Sequence, residues 1–378
     1  MGGHAFSDNI KLSRLSNTEY HRIKTYVLEL IKPYVLDAKV PQHILSKQDH
    51  GDLDILYVLN TEKISKTNFK NFLKENFKSL EVNTQAPPSV SYHFNVDNFE
   101  NAQVDLIPAE NIFHLQQMYF FMSHGDFGMI LGHLCSCLGY NLSNFTLKVR
   151  VIYDNDSSKI VGNLELTSDY NEILEFLGYD YEIFKSKSTD VDDKLSTDFA
   201  FKNENEFFKY LASSSKMKAQ FFSLNDSDKY NDHKKKKAVK RPVYSRFRDF
   251  IVNCENQKLR SDDDKLISIN HETIDKEANK LDAINHFNKQ TEHQNLQKNY
   301  EKTLNFKKKF NGNIIMDILP EFKNALNKSP KNGKILGKFC QNFKENFGED
   351  GILLMGEGEL EGEILKYFNE NKGKFVFV

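Results

Sequence analysis

Residues Gly51-Asp52-Leu53-Asp54-Ile55-Leu56-Tyr57-Val58-Leu59 set two carboxylates, two positions apart, at the mouth of a nearly unbroken apolar run. A run of this length, rich in Leu, Ile, Tyr and Val, reads as a strand buried on both faces. Successive side chains of a strand point to opposite faces, so Asp52 and Asp54 share one. Two like charges held that close in an interior are costly unless a divalent cation neutralises them. A third acid, Asp105, lies in another strand-like run, Val104-Asp105-Leu106-Ile107. If the two strands are neighbours in a sheet, three carboxylates converge. The bland alternative for the pair is two aspartates in a surface turn.

The flanking pattern supports a packed sheet. Ser16 and Glu19 form a capping box ahead of Tyr20, Ile23, Val27, Leu30 and Ile31, which fall on one helical face before Pro33. Phe69, Phe72, Leu73, Phe77 and Leu80 repeat at helical spacing, and Val90 to Val96 with Ala102 to Pro108 read as two strands joined near Asp97-Asn98. Ile112 to Met122 and Phe127 to Leu138 read as helices, the second with Gly128 and Gly132 placed for close helix packing. Between them His124-Gly125-Asp126 either lines the cleft or breaks the helix and caps the next one. Phe145 to Tyr153 alternates and is followed by Ile160 to Leu166, an expected hairpin, after which Thr167 or Ser168 caps a short helix. From Thr273 onward the periodicity is helical. The expected domains are residues 1–140 as catalytic unit, 141–230 as an α/β extension of it, and 231–378 as a basic, mostly helical unit.

Three convergent carboxylates suit a hard, oxygen-preferring cation, here two Mg²⁺ ions with Mn²⁺ as a substitute, and such a site serves nucleotidyl transfer. A helix, a glycine turn, an Asp-x-Asp strand and a later Asp on a neighbouring strand resemble the DNA polymerase beta nucleotidyltransferase superfamily, which includes poly(A) polymerases, terminal uridylyltransferases and CCA-adding enzymes. The resemblance spans about residues 16–110. It implies an α+β fold, a polymerase-beta-like mixed sheet with flanking helices, followed by a mostly helical C-terminal domain. It also implies that Asp52 and Asp54 bind both metals and that Asp105 helps deprotonate the primer hydroxyl. The family usually carries Gly-Ser or Gly-Gly about ten residues before the acids to hold the triphosphate, where this chain has Pro41-Gln42-His43. Ser46, Lys47, His50 and Gly51 are the candidate nucleotide-binding residues instead: a hydroxyl, a cation, an imidazole and the N–H groups of a turn. For Lys47 and His50 the alternatives are an ordinary loop lysine and a turn residue. The start Gly3-His4-Ala5-Phe6 is similar to that of uncharacterised fungal and protist nucleotidyltransferase-like proteins. Gly333-Lys334-Ile335-Leu336-Gly337 is faintly similar to the tail region of CCA-adding enzymes, or simply caps and packs a helix.

Charge is distributed unevenly. The 378 residues carry 51 Lys+Arg against 53 Asp+Glu, yet residues 211–260 hold 13 of those cations and only five acids. Lys237, Lys240, Arg241, Tyr244, Arg246 and Arg248 interleave cations with an aromatic, as a single-stranded RNA site does, with phosphates on the cations and bases on the ring. Lys234 to Arg241 also reads as a nuclear-import signal or a solvated loop. The expected activity is therefore template-independent addition of nucleotides from nucleoside triphosphates to an RNA 3′ end. Nucleotidylation of a protein or small molecule, and a catalytically inactive binding protein on the same fold, are the alternatives. No apolar stretch reaches the roughly 18 residues of a membrane span, and no export signal or lipid anchor is expected, so the protein is expected inside the cell, in cytoplasm or nucleus. The cysteines Cys135, Cys137, Cys254 and Cys340 are spaced for buried thiols in preference to a metal site.

Overall fold

Leu53–Leu59 lies second in a five-stranded mixed sheet, with its apolar side chains covered from both faces. The computed structural model describes residues 5–6, 9–84, 89–96, 99–143, 146–188, 201–222, 241–257 and 274–375. In chain order the strands are β1 (Leu15–Ser16), β2 (Val35–Lys39), β3 (Asp49–His50), β4 (Leu53–Leu59), β5 (Val82–Asn83), β6 (Val90–Val96), β7 (Phe99–Pro108), β8 (Tyr140–Ser143), β9 (Thr146–Tyr153) and β10 (Asp156–Thr167). The main sheet has the order β2-β4-β7-β6-β5, with β4 and β7 parallel and the other pairs antiparallel. This is an α+β architecture with a helical C-terminal region, as the sequence pattern implies.

Helix α1 (Asn17–Ile31) begins at Ser16, whose Oγ accepts from the Glu19 backbone N–H while Glu19 accepts from the Ser16 N–H at 2.8 Å. Its buried stripe of Tyr20, Ile23, Val27 and Ile31 packs with Phe69 and Leu73 of α2 (Lys66–Asn76) onto Leu53, Ile55, Val104 and Leu106 of the sheet. Each such side chain contributes about 1.5–3 kcal/mol by leaving water. The opposite face of β4 and β7 presents Leu56, Val58 and Ile107, which α3 (Ile112–Met122) covers with Leu115, Met118 and Tyr119. Positions 54 and 105 have the parity of that second face, at the strand ends this cluster does not reach.

Helix α4 (Phe127–Leu138) follows α3 closely: a Cβ on Gly128 would overlap the Phe121 ring and sit 2.5 Å from the Phe121 carbonyl oxygen. Gly132 does not share that role, since a Cβ there would meet nothing within 4 Å. The short helix after β10, α5 (Tyr170–Phe176), is capped by Asp169 and not by Thr167 or Ser168; Asp169 Oδ1 accepts from Asn171 N at 2.8 Å. Two further helices, α6 (Tyr181–Ser188) and α7 (Glu204–Ala212), precede α8 (Pro242–Gln257) and α9 (Lys276–His286).

The chain divides into two compact units, 1–149 with 165–287, and 150–164 with 288–378. The expected boundaries at 140 and 230 do not coincide with these. One reason is α8, whose Tyr244, Phe247 and Ile251 are buried, with Phe247 against Phe208 and Phe222 of the first unit. The second unit contains α10 (Gln290–Lys309), α11 (Gly312–Ile318), α12 (Pro320–Lys328), α13 (Gly333–Phe347), α14 (Glu349–Leu354) and α15 (Glu357–Asn371) around Phe310, Phe322, Phe339, Phe343 and Phe368. Gln297 of α10 donates to the Ile152 carbonyl at 2.7 Å and to Asp154 at 2.9 Å, and Tyr153 packs on Tyr300 at 5.1 Å between ring centroids. Among the described residues no helix is long and apolar enough to cross a membrane.

Candidate active site

Parallel pairing of β4 with β7 sets Asp54 beside Asp105 in register. Neighbours in register on parallel strands project to the same face, and Asp52 joins them two positions earlier. One carboxylate oxygen from each of Asp52, Asp54 and Asp105 lies within 4.8 Å of the other two, and all three residues are partly buried. Gly51 forms the bend leading into the strand.

Electrostatics follow from this crowding. Asp54 is pushed well above the usual carboxylate range by burial first, then by the charges of Asp52 and Asp105. Burial raises Asp52 too, against the pull of Lys47 and Arg14. Asp105 is raised by burial, opposed by hydrogen bonds from Ser91 and Gln103. The Gln103 amide donates to both Asp105 oxygens at 3.0 Å, which fixes the carboxylate plane. Three mutually repelling oxygen donors with a pinned third member fit one or more hard divalent ions, and they fit no soft metal.

The loop before the acids is held to α1. Asn17 Nδ2 donates to the Lys47 carbonyl at 3.1 Å, and Asn17 Oδ1 lies 2.9 Å from His50 Nε2. The His50 ring stacks on Tyr20 at 3.9 Å between centroids. His50 is only 3% exposed and its pKa is lowered to about 4 by burial and by Lys47. The ring thus engages Tyr20 by its face and Asn17 through Nε2, while its buried Nδ1 has no hydrogen-bond partner among the described residues. Ser46 is exposed and Lys47 half-buried. Lys47 is driven down by burial and supported in its charged form by Asp52 and Asp54.

Sequence reasoning passed over His43 and left Asp126 open between lining the cleft and capping the next helix. His43 has Nε2 2.9 Å from the Tyr20 hydroxyl and Nδ1 3.5 Å from Lys47 Nζ. Asp126 is 7% exposed, accepts from the Tyr244 backbone N–H at 3.0 Å and pairs with Arg241 at 3.4 Å. The only signal for His43 was its four-residue spacing from Lys47, which means little in a loop.

Of the proposed RNA residues, Arg241, Tyr244, Arg246 and Arg248 lie among the described residues. Lys237 and Lys240, with the Lys234 to Lys236 run, lie outside the described residues. Tyr244 is 4% exposed, its ring set against His133 and Phe222. A ring buried in this way presents no face to a base, which corrects its assignment as a stacking platform. Arg246 forms a bidentate pair with Glu204 at 2.8 and 2.5 Å, and Arg248 pairs with Asp249 at 2.8 Å. Arg241, paired with Asp126, still reaches the carboxylates electrostatically and lowers Asp52 and Asp54.

No protein-family profile matches the sequence, and no curated protein matches it. Among solved structures the chain is similar to polymerase beta of Leishmania infantum in a ternary P/T complex, with a TM-score of 0.30 and 16% identity. That match covers 36% of this chain and 58% of the other, so it spans under two thirds of the polymerase.

Proposed function

We propose that this chain is a divalent-metal-dependent nucleotidyltransferase that moves a nucleoside monophosphate from a nucleoside triphosphate to a hydroxyl acceptor, the 3′ end of an RNA, without a template. The observation that carries the reading is the convergence of Asp52, Asp54 and Asp105 from two parallel strands. Asp52 and Asp54 would hold Mg²⁺ or Mn²⁺, with Asp105 completing the set. Ions bound there supply neutralisation of the charge that builds on the phosphoryl group and acidify the attacking hydroxyl. The acceptor oxygen forms a bond to the α-phosphorus, the bond to the β-phosphate bridging oxygen breaks, and pyrophosphate leaves with that electron pair. The acceptor proton passes to a carboxylate oxygen of Asp105. Gln103 keeps the receiving oxygens in place.

A second reading, transfer to a protein or small-molecule hydroxyl, is favoured by one observation. Among the described residues of the set expected to hold RNA, Tyr244 is buried and Arg246 and Arg248 already carry ion-pair partners. Incubating the full chain with each α-labelled nucleoside triphosphate, Mn²⁺ and a mixed RNA pool separates the readings. Label in RNA that is lost in Asp54→Asn supports the first, and label in protein supports the second. No label in any product rejects nucleotidyl transfer and leaves a binding protein on this fold.

A further inference from the structure

Charge balance makes a demand on the site. Three carboxylates and a triphosphate bring about seven negative charges and two divalent ions cancel four, so a protein cation is needed near the phosphates. Three side-chain cations act on Asp52: Lys47, Arg14 and Arg241. Arg14 is engaged by Asp49 at 2.6 Å and Arg241 by Asp126 at 3.4 Å. Lys47 has no ion-pair partner among the described residues, and its ammonium meets an imidazole instead.

That imidazole is placed by its other nitrogen. Tyr20, buried on the inner face of α1, sets its hydroxyl 2.9 Å from His43 Nε2, leaving Nδ1 toward Lys47 Nζ at 3.5 Å. A charged lysine only donates, so Nδ1 is the acceptor and the single proton of a neutral ring sits on Nε2, donated to Tyr20 Oη. Burial and the neighbouring cations keep the ring neutral, consistent with this tautomer. The lysine is also held from its main chain, through Asn17 Nδ2 and the Lys47 carbonyl at 3.1 Å. Both ends of the residue are therefore fixed from α1, the element packed behind the acid-bearing strand.

We propose that His43, oriented by Tyr20, is a positioning residue that aims the Lys47 ammonium at the phosphates of a nucleoside triphosphate bound at the three aspartates. The proposal rests on the nucleotidyl-transfer reading and assigns Lys47 as its phosphate anchor. It predicts that the two side chains act as one unit. Removing the acceptor at position 43 then costs about as much phosphate affinity as removing the cation.

The probe is magnesium tripolyphosphate, titrated into the full chain by calorimetry, with circular dichroism and melting recorded for every variant. His43→Leu and Lys47→Met are each expected to weaken binding about tenfold, the size of one charge-assisted contact. The double variant is expected to be no weaker than either single one. His43→Asn, whose side-chain oxygen takes the place of Nδ1, is expected to stay within about threefold of wild type. Tyr20→Phe deletes one hydroxyl without opening a cavity and tests the orientation alone, with an expected loss of about threefold. Additive losses in the double variant, or unchanged binding in both folded His43→Leu and Tyr20→Phe, overturn the role of His43. Unchanged binding in Lys47→Met with binding abolished in Asp54→Asn overturns the anchor while nucleotidyl transfer stands. A wild-type chain that does not bind the probe overturns both.

Discussion

Replacing Asp54 with Asn is expected to stabilise the metal-free protein and to abolish its response to divalent ions. The three carboxylates approach within 4.8 Å, and two unit charges at that distance in an effective dielectric of 20 repel by about 3.5 kcal/mol. Attraction from Lys47 and partial protonation of the crowded acids reduce this, leaving a relief of about 1–2 kcal/mol near pH 7.5. At about 2–4 °C per kcal/mol, the melting temperature in EDTA should rise by about 2–8 °C. The sign with pH follows from the raised carboxylate pKa. The penalty is absent below the ordinary carboxylate range, grows as pH rises toward the folded-state value, and is complete above it. Acidification in EDTA should therefore narrow the gap between variant and wild type. With Mn²⁺ at a hundred times its dissociation constant the wild type should gain about 2.7 kcal/mol and overtake the variant. Thermal melts of both proteins in EDTA, Mg²⁺ and Mn²⁺ across pH 5.5 to 8 read all of this. A variant no more stable than wild type in EDTA, or one that keeps the full Mn²⁺ shift, refutes the shared-cation geometry.

Other outcomes follow from the packing. His124 is fully buried against Phe184 and Phe201 and its pKa falls to about 3, so its stabilising neutral form is matched in the unfolded chain above pH 6.5 and opposed below it. Stability should drop by about 2 kcal/mol from this group between pH 6.5 and 5, and His124→Asn, which tolerates the φ of 59°, should flatten that slope in urea titrations. Asp126→Ala orphans the Tyr244 N–H and should cost about 1–3 kcal/mol by chemical denaturation, whereas Asp126→Asn keeps an acceptor and should cost less. Gly128→Ala forces α4 off Phe121 and should lower the melting temperature through about 1–3 kcal/mol of overpacking; an unchanged melt would show that the Phe121 ring yields freely.

Local signals carried the first half of the fold. The capping box at Ser16, the stripe from Tyr20 to Ile31 and the run from Leu53 to Leu59 each record their own environment, because period and polarity are set by which face is buried. Pairing Asp54 with Asp105 needed only that two apolar strands adjoin. The edge strand β2 was illegible: Val35, Asp37 and Lys39 alternate no apolar face, since Leu36 is 61% exposed and the strand has one hydrogen-bonded neighbour. Non-local ion pairs were illegible for a different reason. Glu204 and Arg246, or Asp126 and Arg241, are far apart in sequence, and a cation beside an aromatic looks alike whether it faces solvent or a partner. The same limit hid the Tyr20 and His43 contact.

Strands β9 and β10 pass from one compact unit to the other in mid-strand, at residue 150 and again at 164. The polypeptide therefore crosses between the units three times, and no single cut releases either one whole. During synthesis the hairpin tip emerges long before Gln297 and Tyr300, its eventual neighbours, are made. Completion of the second unit must wait until the residues from 288 onward have been made, and a nascent product stalled before residue 288 would leave that tip uncovered.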